Sequence, residues 1–189
     1  KDGIEPAALV GYLAAPGTSN DPVAGMPADL APTYDLGKVS QSTARFDPRH
    51  MLALNRRLLH GISFDAVKDR LPEGADEDFW LAVRGNLDLL REAKPWFDVV
   101  RGSIVPPVLE NEGDFLRAAL AAMPAEPWDG NTWGAWTGAL KESTGRKGKA
   151  LFLPLRQALT GHDHGPDMKA LLPLIGRERA VARLEKAAA

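Results

Sequence analysis

The sequence predicts an all-α fold in which helical subdomains follow one another along the chain. Apolar residues recur at intervals of three and four, alternating runs of β-branched residues are scarce, and proline and glycine clusters separate stretches of helical length. With 189 residues, 44% of them apolar, the chain is long enough to bury a core as one domain or as two small ones.

Composition excludes several kinds of site. The absence of cysteine rules out disulfide frameworks, thiolate metal sites and cysteine nucleophiles, and it favours a reducing, cytoplasmic setting. No apolar run approaches the ~20 residues that a bilayer requires, so we expect a soluble protein with no membrane partner. Because the chain starts on Lys1-Asp2-Gly3 without a methionine, we expect it to be a fragment of a longer protein.

The N-terminal part predicts two well-defined helices and a third that begins near Ser63. The first covers 5–15, and the second covers 46–62, where Asp47 supplies the N-cap and the proline after it takes the first helical position. Between them, 16–33 is rich in Pro, Gly, Ser, Asn and Asp, which predicts a loop.

A polar break at 71–78 predicts a domain boundary, which we place after residue 72. The next helix is predicted to start near Asp78 and to stop around Pro95, because apolar residues keep a helical period between them. Further helices are predicted over 114–123 and 131–144, then over a stretch that includes Leu151 and ends at Thr160-Gly161, and from Asp167 onward.

Charge is distributed unevenly. Residues 1–140 hold 13 Lys/Arg against 20 Asp/Glu, whereas 141–189 hold 10 against 5. A basic segment on an acidic body is typical of a protein that binds a polyanion such as nucleic acid, because clustered cations release counterions from phosphates. A solvated, lysine-rich helix end would give the same pattern.

No local motif predicts catalysis. The sequence lacks a nucleophile elbow, a zinc-protease helix and a Walker-type phosphate loop. The turn His162-Asp163-His164 is the one local metal candidate, but these positions do not supply the three or four convergent ligands that zinc needs. We therefore expect no catalytic residue and no metal site in this chain.

The stretch GRKGKALFLPLRQALTGHDHGPDMKALLPLIG, residues 145–176, is better explained as a binding surface. Three cations beside its glycines are expected to point outward: Arg146, Lys147 and Lys149. Four apolar side chains are expected to anchor the following helix in a core: Leu151, Phe152, Leu155 and Leu159. Arg156 emerges at the helix edge, where a guanidinium can bond or stack on a base, or can serve as a capping or salt-bridge arginine.

The string GRKGKALFLPLRQALTGHDHGPDMKALLPLIGRERAVARL closely resembles the C-terminal end of bacterial glutamyl-tRNA synthetases. KDGIEPAALVGYLAAPGTS and SQSTARFDPRHMLALNRRLL resemble two segments that follow the ATP-site lysine loop in that family. The resemblance is strong at 1–62 and 145–184 and weak between them. It implies a stem-contact helical region over 1–72 and a helical anticodon-binding domain of a class I synthetase over 73–189.

The resemblance also implies roles for individual residues. Arg156 matches a family arginine that reads the anticodon. Asn86 stands where a second family arginine would fall, so Arg84 or Arg91 is expected to replace it. The residues expected to contact the tRNA backbone are Arg146, Lys147, Lys149 and Arg45. The tryptophans are expected to pack in the core or at its rim.

The implied full-length protein ligates glutamate to glutamate tRNA with ATP and Mg²⁺, whereas this fragment lacks the catalytic domain and is expected to be inactive alone. Glutamine tRNA stays open as a second partner, because the two anticodons differ only at the third position. A helical protein-interaction module is a further alternative, with the acidic two-thirds as its binding face. We expect no DNA partner, a cytoplasmic location and a monomer.

Overall fold

The structure is a computed structural model that describes residues 3–15, 18, 21–39 and 46–189. Within these ranges the chain is helical and forms no β-strand, with one isolated bridge between Thr18 and Val39, which confirms the all-α fold. Contacts divide the chain into two compact units, Lys1–Lys94 and Pro95–Ala189. The functional boundary after residue 72 stays a prediction.

Four helices lie in the first unit, among the residues that the structure describes there: α1 (Pro6–Ala14), α2 (Pro27–Leu30), α3 (Pro48–Gly61) and α4 (Glu77–Val83). α1 packs on α3, and the buried side chains of Ala8, Tyr12, Met51 and Leu54 form the apolar cluster there. The carboxylate of Asp47 accepts a hydrogen bond from the Arg49 backbone N–H at 2.9 Å, which confirms it as the N-cap of α3.

The buried polar side chains of this unit form hydrogen bonds that connect its segments. The side chain of Asn55 accepts a hydrogen bond from the Glu5 backbone N–H at 2.7 Å and donates one to the Asp88 carbonyl at 2.6 Å. Both terminal nitrogens of Arg70 donate hydrogen bonds to the buried Glu5 carboxylate, at 3.0 and 2.9 Å. These bonds fix the start of α1 against α3 and the segment after α4.

The predicted continuous helix up to Pro95 is wrong. α4 ends at Val83, 3₁₀ turns cover Arg84–Asn86 and Leu90–Glu92, and α5 runs from Ala93 to Arg101. The Glu92 carboxylate accepts hydrogen bonds from the backbone N–H groups of Asp88 and Leu89, at 2.8 and 3.3 Å, which stabilises the extended segment between the turns. Pro95 is tolerated in the first turn of α5 because an N–H there has no helical acceptor.

Two smaller predictions also need correction. The helix expected from Ser63 consists of two 3₁₀ turns, Phe64–Ala66 and Lys68–Arg70, and Ser63 makes no side-chain cap. The stretch 16–33 contains the short helix α2 and a 3₁₀ turn at Ala31–Thr33, with Asp29 accepting a hydrogen bond from the Met26 N–H. Local side-chain capping outweighs the turn-rich composition there.

The second unit contains the five remaining helices: α6 (Gly113–Ala121), α7 (Thr132–Thr144), α8 (Lys149–Thr160), α9 (Met168–Ile175) and α10 (Arg177–Ala187). α10 packs on α6, α8 and α9, and α7 packs on α6, α8 and α9. Its core is filled by fully buried side chains, including Leu116, Trp136, Leu140, Leu155, Leu172 and Leu184. Asp167 caps α9 by accepting from the Lys169 N–H at 2.9 Å, as predicted.

A buried arginine crosses this core. The side chain of Arg183 on α10 is 4% exposed. Its guanidinium donates to the Leu159 carbonyl at 2.8 Å and to the carbonyls of Val99 and Gly102 at 2.7 and 3.2 Å. Because these carbonyls lie at the C-terminal ends of α8 and α5, the cation satisfies two helix ends at once.

Candidate nucleic-acid interface

The site predicted from the basic stretch is built on α8. Leu151, Leu155, Ala158 and Leu159 form the buried face of this helix. Lys149, Phe152 and Arg156 recur at intervals of three, four and seven, so they share another face, which spans about 10 Å along the axis. Phe152 is 43% exposed, so its expected role as a core anchor is wrong. Its ring lies beside Trp133, with the ring centroids 6.2 Å apart.

Arg156 is half-buried and tied to the turn that follows α8. One terminal nitrogen of its guanidinium donates to the Pro166 carbonyl at 3.0 Å. No other hydrogen bond of this guanidinium is formed within the described residues, although the group carries five N–H donors. Burial lowers the pKa of Arg156, and the Asp167 carboxylate opposes that shift. Arg156 stays a cation at neutral pH and keeps donors for a further acceptor.

The turn after α8 is tightly specified. Gly161 has a φ of +76° and donates its N–H to the Gln157 carbonyl at 2.8 Å, which ends the helix with a left-handed cap. The Thr160 hydroxyl donates to the Arg156 carbonyl at 2.7 Å and accepts from the His162 N–H at 3.1 Å. These bonds fix the start of the turn that leads to Pro166.

Trp96, from α5, packs against this turn. Its ring centroid lies 5.0 Å from that of His162. Gly165 has a φ of +139°, and a Cβ at this position would lie 2.2 Å from a ring carbon of Trp96. The glycine is therefore required both by the backbone conformation and by the close approach of the indole.

The basic loop before α8 contains one cation that is held internally. Arg146 forms an ion pair with Glu112, and its guanidinium carbon lies 4.2 Å from the centroid of the Phe115 ring. It also donates to the Ala150 carbonyl at 3.2 Å. Pro154 lies within α8 and has no N–H for the carbonyl four residues earlier, so Arg146 supplies the donor that the Ala150 carbonyl lacks.

Lys147 and Lys149 are exposed on either side of Gly148, at the N-terminus of α8. Gly148 has a φ of +53°, which lets the chain turn into the helix. The N-terminal end of a helix carries partial positive charge, so two lysines there concentrate positive potential. This end of α8 therefore favours an anionic ligand.

The first unit contains two of the other predicted arginines. Arg84 is half-buried and donates to the Ile62 carbonyl at 3.0 Å, and the Trp80 indole donates to the same carbonyl at 3.1 Å. Both side chains thereby cap the end of α3. Arg91 is exposed on the 3₁₀ turn Leu90–Glu92. Arg45 lies outside the described residues.

The two histidines of the turn are exposed. His164 Nδ1 contacts the Asp163 carboxylate, and this contact lowers the pKa of Asp163. Across the part of the chain that the structure describes, no group of three or more His, Cys, Asp or Glu side chains converges as a metal site would require.

Sequence reasoning missed three contributors to this region. Phe152 was assigned to the core because its spacing from Leu155 and Leu159 fits an apolar stripe. Trp96 was expected only to pack in the core or at its rim, and Arg183 was not selected. The glycine before Pro166 was a usable signal, because glycine allows both a positive φ and the close approach of a neighbour; no local pattern identifies Trp96 as that neighbour.

Comparisons with known proteins cover the whole chain. Residues 108–188 match the family described as an anticodon binding domain. Over 188 residues the chain is 58% identical to glutamate–tRNA ligase 2 of Acidiphilium cryptum and 55% identical to glutamate–tRNA ligase 2 of Gluconacetobacter diazotrophicus, with 100% of the chain aligned. The chain belongs to the glutamate–tRNA ligase family.

The chain spans 42% of the length of these two relatives, and it matches the C-terminal part of the family rather than its catalytic domain. A solved glutamate tRNA ligase from Elizabethkingia meningosepticum, in complex with its amino acid, matches 98% of the chain with a TM-score of 0.79 and 20% identity. Glutamate–tRNA synthetase from Elizabethkingia anophelis gives a TM-score of 0.78. These two likenesses confirm the fold. Among the described helices, none is long and apolar enough to cross a membrane.

Proposed function

We propose that this chain binds the anticodon arm of tRNA through the exposed face of α8. One observation carries the proposal: Lys149, Phe152 and Arg156 share that face, and Arg156 uses one of its five donors within the protein. Cations that alternate with an aromatic ring match the chemistry of unpaired RNA, which offers phosphates, base edges and base faces.

The side chains around α8 recognise different chemical groups of the RNA. Arg156 bonds a base edge, because its guanidinium is oriented by the Pro166 carbonyl and keeps a planar fork of donors. Phe152 stacks on a base, and Lys147 and Lys149 neutralise backbone phosphates. Arg146 is the weaker candidate for a phosphate contact, since Glu112 and the Ala150 carbonyl already engage it.

The other roles implied by the family likeness are part of the same proposal. Residues 1–72 contact the tRNA stem, with Arg45 at the backbone, and 73–189 form the anticodon-binding domain. Arg84 or Arg91 makes the second anticodon contact, and Arg84 also caps α3. Glutamate tRNA is the partner, and the protein acts as a monomer in the cytoplasm.

The full-length protein uses ATP and Mg²⁺ to ligate glutamate to this tRNA, by chemistry located outside this chain. The chain matches the C-terminal part of the family and not its catalytic domain, so we assign no ATP or Mg²⁺ contact to any residue here. The isolated chain should therefore show no glutamate-dependent exchange between ATP and pyrophosphate. Exchange above the background of a heat-denatured sample would contradict this.

The experiment is a salt series of binding to labelled glutamate tRNA, glutamine tRNA and an unrelated tRNA. It compares wild type with Arg156→Ala, with Arg156→Lys, which keeps the charge and loses the planar fork, and with Arg177→Ala. Arg177 is an exposed cation on α10 that donates to the Pro124 carbonyl at 3.4 Å. Wild type should prefer glutamate tRNA, and both Arg156 variants should lose about 1 to 3 kcal/mol of that preference.

The control Arg177→Ala distinguishes a loss of tRNA specificity from the general effect of removing one positive charge. Arg177→Ala should keep the preference for glutamate tRNA. If wild type binds the three tRNAs equally, Arg156 does not read the anticodon. If it binds glutamate and glutamine tRNA equally but rejects the unrelated one, the third anticodon base is not read.

A further inference from the structure

A basic pocket of about 300 Å³ lies in the second unit, between the end of α5, the segment after it and α10. Four cations line it: Arg101, Arg179, Arg183 and Lys186. Gly102, Ser103, Ile104 and Ala182 complete the lining, which contains no carboxylate. A cavity with only cations among its charged groups has a strongly positive potential, because its low-dielectric walls focus the field.

The cations are arranged by α10. Arg179, Arg183 and Lys186 recur at intervals of four and three, so they lie on one face of the helix. The two acidic residues of α10, Glu178 and Glu185, lie about 100° around the helix from that face. The opposite wall is connected to α10 because Arg183 donates to the Gly102 carbonyl at 3.2 Å.

The deepest of the four cations is rigid and has no anionic partner among its hydrogen bonds. Arg183 bonds three backbone carbonyls, and burial together with the charge of Arg179 lowers its pKa to about 10. An anion entering the pocket would offset the free-energy cost of keeping Arg183 charged while buried beside Arg179. The exposed Arg179 and Lys186 can then supply N–H donors to it.

We propose that this pocket binds a phosphate group, either a backbone phosphate of RNA or a free phosphate ion. The RNA form rests on the proposed function. Trp96, which packs on the turn beside Arg156, lies on the same helix as Arg101 and precedes it by five residues, or about 7.5 Å along the axis. The free-ion form does not depend on tRNA binding.

The test uses the 189-residue chain and two matched double variants. Arg179→Gln/Lys186→Gln removes two exposed cations from the pocket and leaves the buried Arg183 in place. Arg177→Gln/Lys141→Gln removes two exposed cations that do not line it. Inorganic phosphate is titrated into each protein while ¹H–¹⁵N NMR follows the amides of Gly102 and Ser103. Binding of labelled glutamate tRNA is then measured across a salt series.

With wild type and the control variant, phosphate should shift these amides saturably, and the pocket variant should lose the shifts. The pocket variant should also bind tRNA about tenfold more weakly at low salt, with the slope of log K against log salt smaller by about one. Shifts without any effect on tRNA binding identify a free phosphate ion as the ligand.

Two results overturn the proposal or separate it from the proposed function. If phosphate shifts neither amide and the tRNA slope of the pocket variant equals that of the control, the pocket binds no phosphate while tRNA binding stands. If no protein binds tRNA, the proposed function fails, and the phosphate titration alone decides the pocket.

Discussion

Gly165→Ala tests the arrangement of the turn that holds Arg156. The new Cβ would lie 2.2 and 2.5 Å from two ring carbons of Trp96, where carbon atoms normally keep about 3.5 to 4.0 Å. The indole or the turn must therefore move by more than 1 Å, as in an overpacked core, at a cost of about 1 to 3 kcal/mol. The φ of +139° adds about 1 to 3 kcal/mol of backbone strain.

Gly161→Ala in the same turn is the matched control. Gly161 also has a positive φ, +76°, but a Cβ at this position would have no atom within 4 Å, so we expect only about 1 to 2 kcal/mol. Urea unfolding of the two variants should therefore differ by about 1 to 4 kcal/mol. Trp96→Ala in the Gly165→Ala background should recover the steric part of the loss.

The same variant connects stability to recognition. Moving the turn displaces the Pro166 carbonyl that orients Arg156, so Gly165→Ala should lose tRNA discrimination more than Gly161→Ala does. Equal unfolding free energies for the two glycine variants would refute the packing of Trp96 on the turn. Unchanged discrimination with the expected destabilisation would show that the Pro166 carbonyl does not orient the reading arginine.

Three further predictions concern the ion pairs. Arg146→Met should lower the free energy of unfolding in urea by about 2 to 3 kcal/mol, because it leaves the Ala150 carbonyl and the Glu112 carboxylate without a donor. The control Lys147→Met should change the free energy of unfolding by less than about 0.5 kcal/mol. Arg70→Met should cost about 1 to 3 kcal/mol, since Glu5 stays buried without its cation, and a cost near zero would contradict that contact. The hydrogen bond from Arg56 lowers the pKa of Asp88 below its ordinary value of 3.8. The contribution of Asp88 to the free energy of unfolding is therefore present above pH 3.8 and is lost as the pH falls through the folded-state pKa. In an acid titration, the free energy of unfolding should fall more steeply for wild type than for Asp88→Asn.

Local sequence patterns predicted the elements whose ends are determined locally. Asp47 and Asp167 cap their helices through bonds to N–H groups two residues away, so the pattern contains all the information needed. The break after Val83 was missed because the Glu92 carboxylate reaches back to Asp88 and Leu89, a contact that helical periodicity does not register.

The candidate site was predicted in part for the same reason. The position of Arg156 at a helix edge follows from its neighbour Leu155, and the exposure of Lys147 and Lys149 follows from the glycine-spaced loop. Arg183 could not be selected, because the three carbonyls that stabilise it belong to α5, α8 and the segment after α5. Its buried position depends on how helices distant in sequence pack.

The bond between Arg146 and the Ala150 carbonyl has a consequence for binding entropy. It connects the basic loop to the first turn of α8 at the position where Pro154 would otherwise leave a gap in the hydrogen-bond ladder. The neighbouring lysines are thus presented on a backbone that is already ordered before any ligand arrives. Ordering a flexible segment on association costs affinity, so a preorganised loop converts more of each phosphate contact into binding free energy.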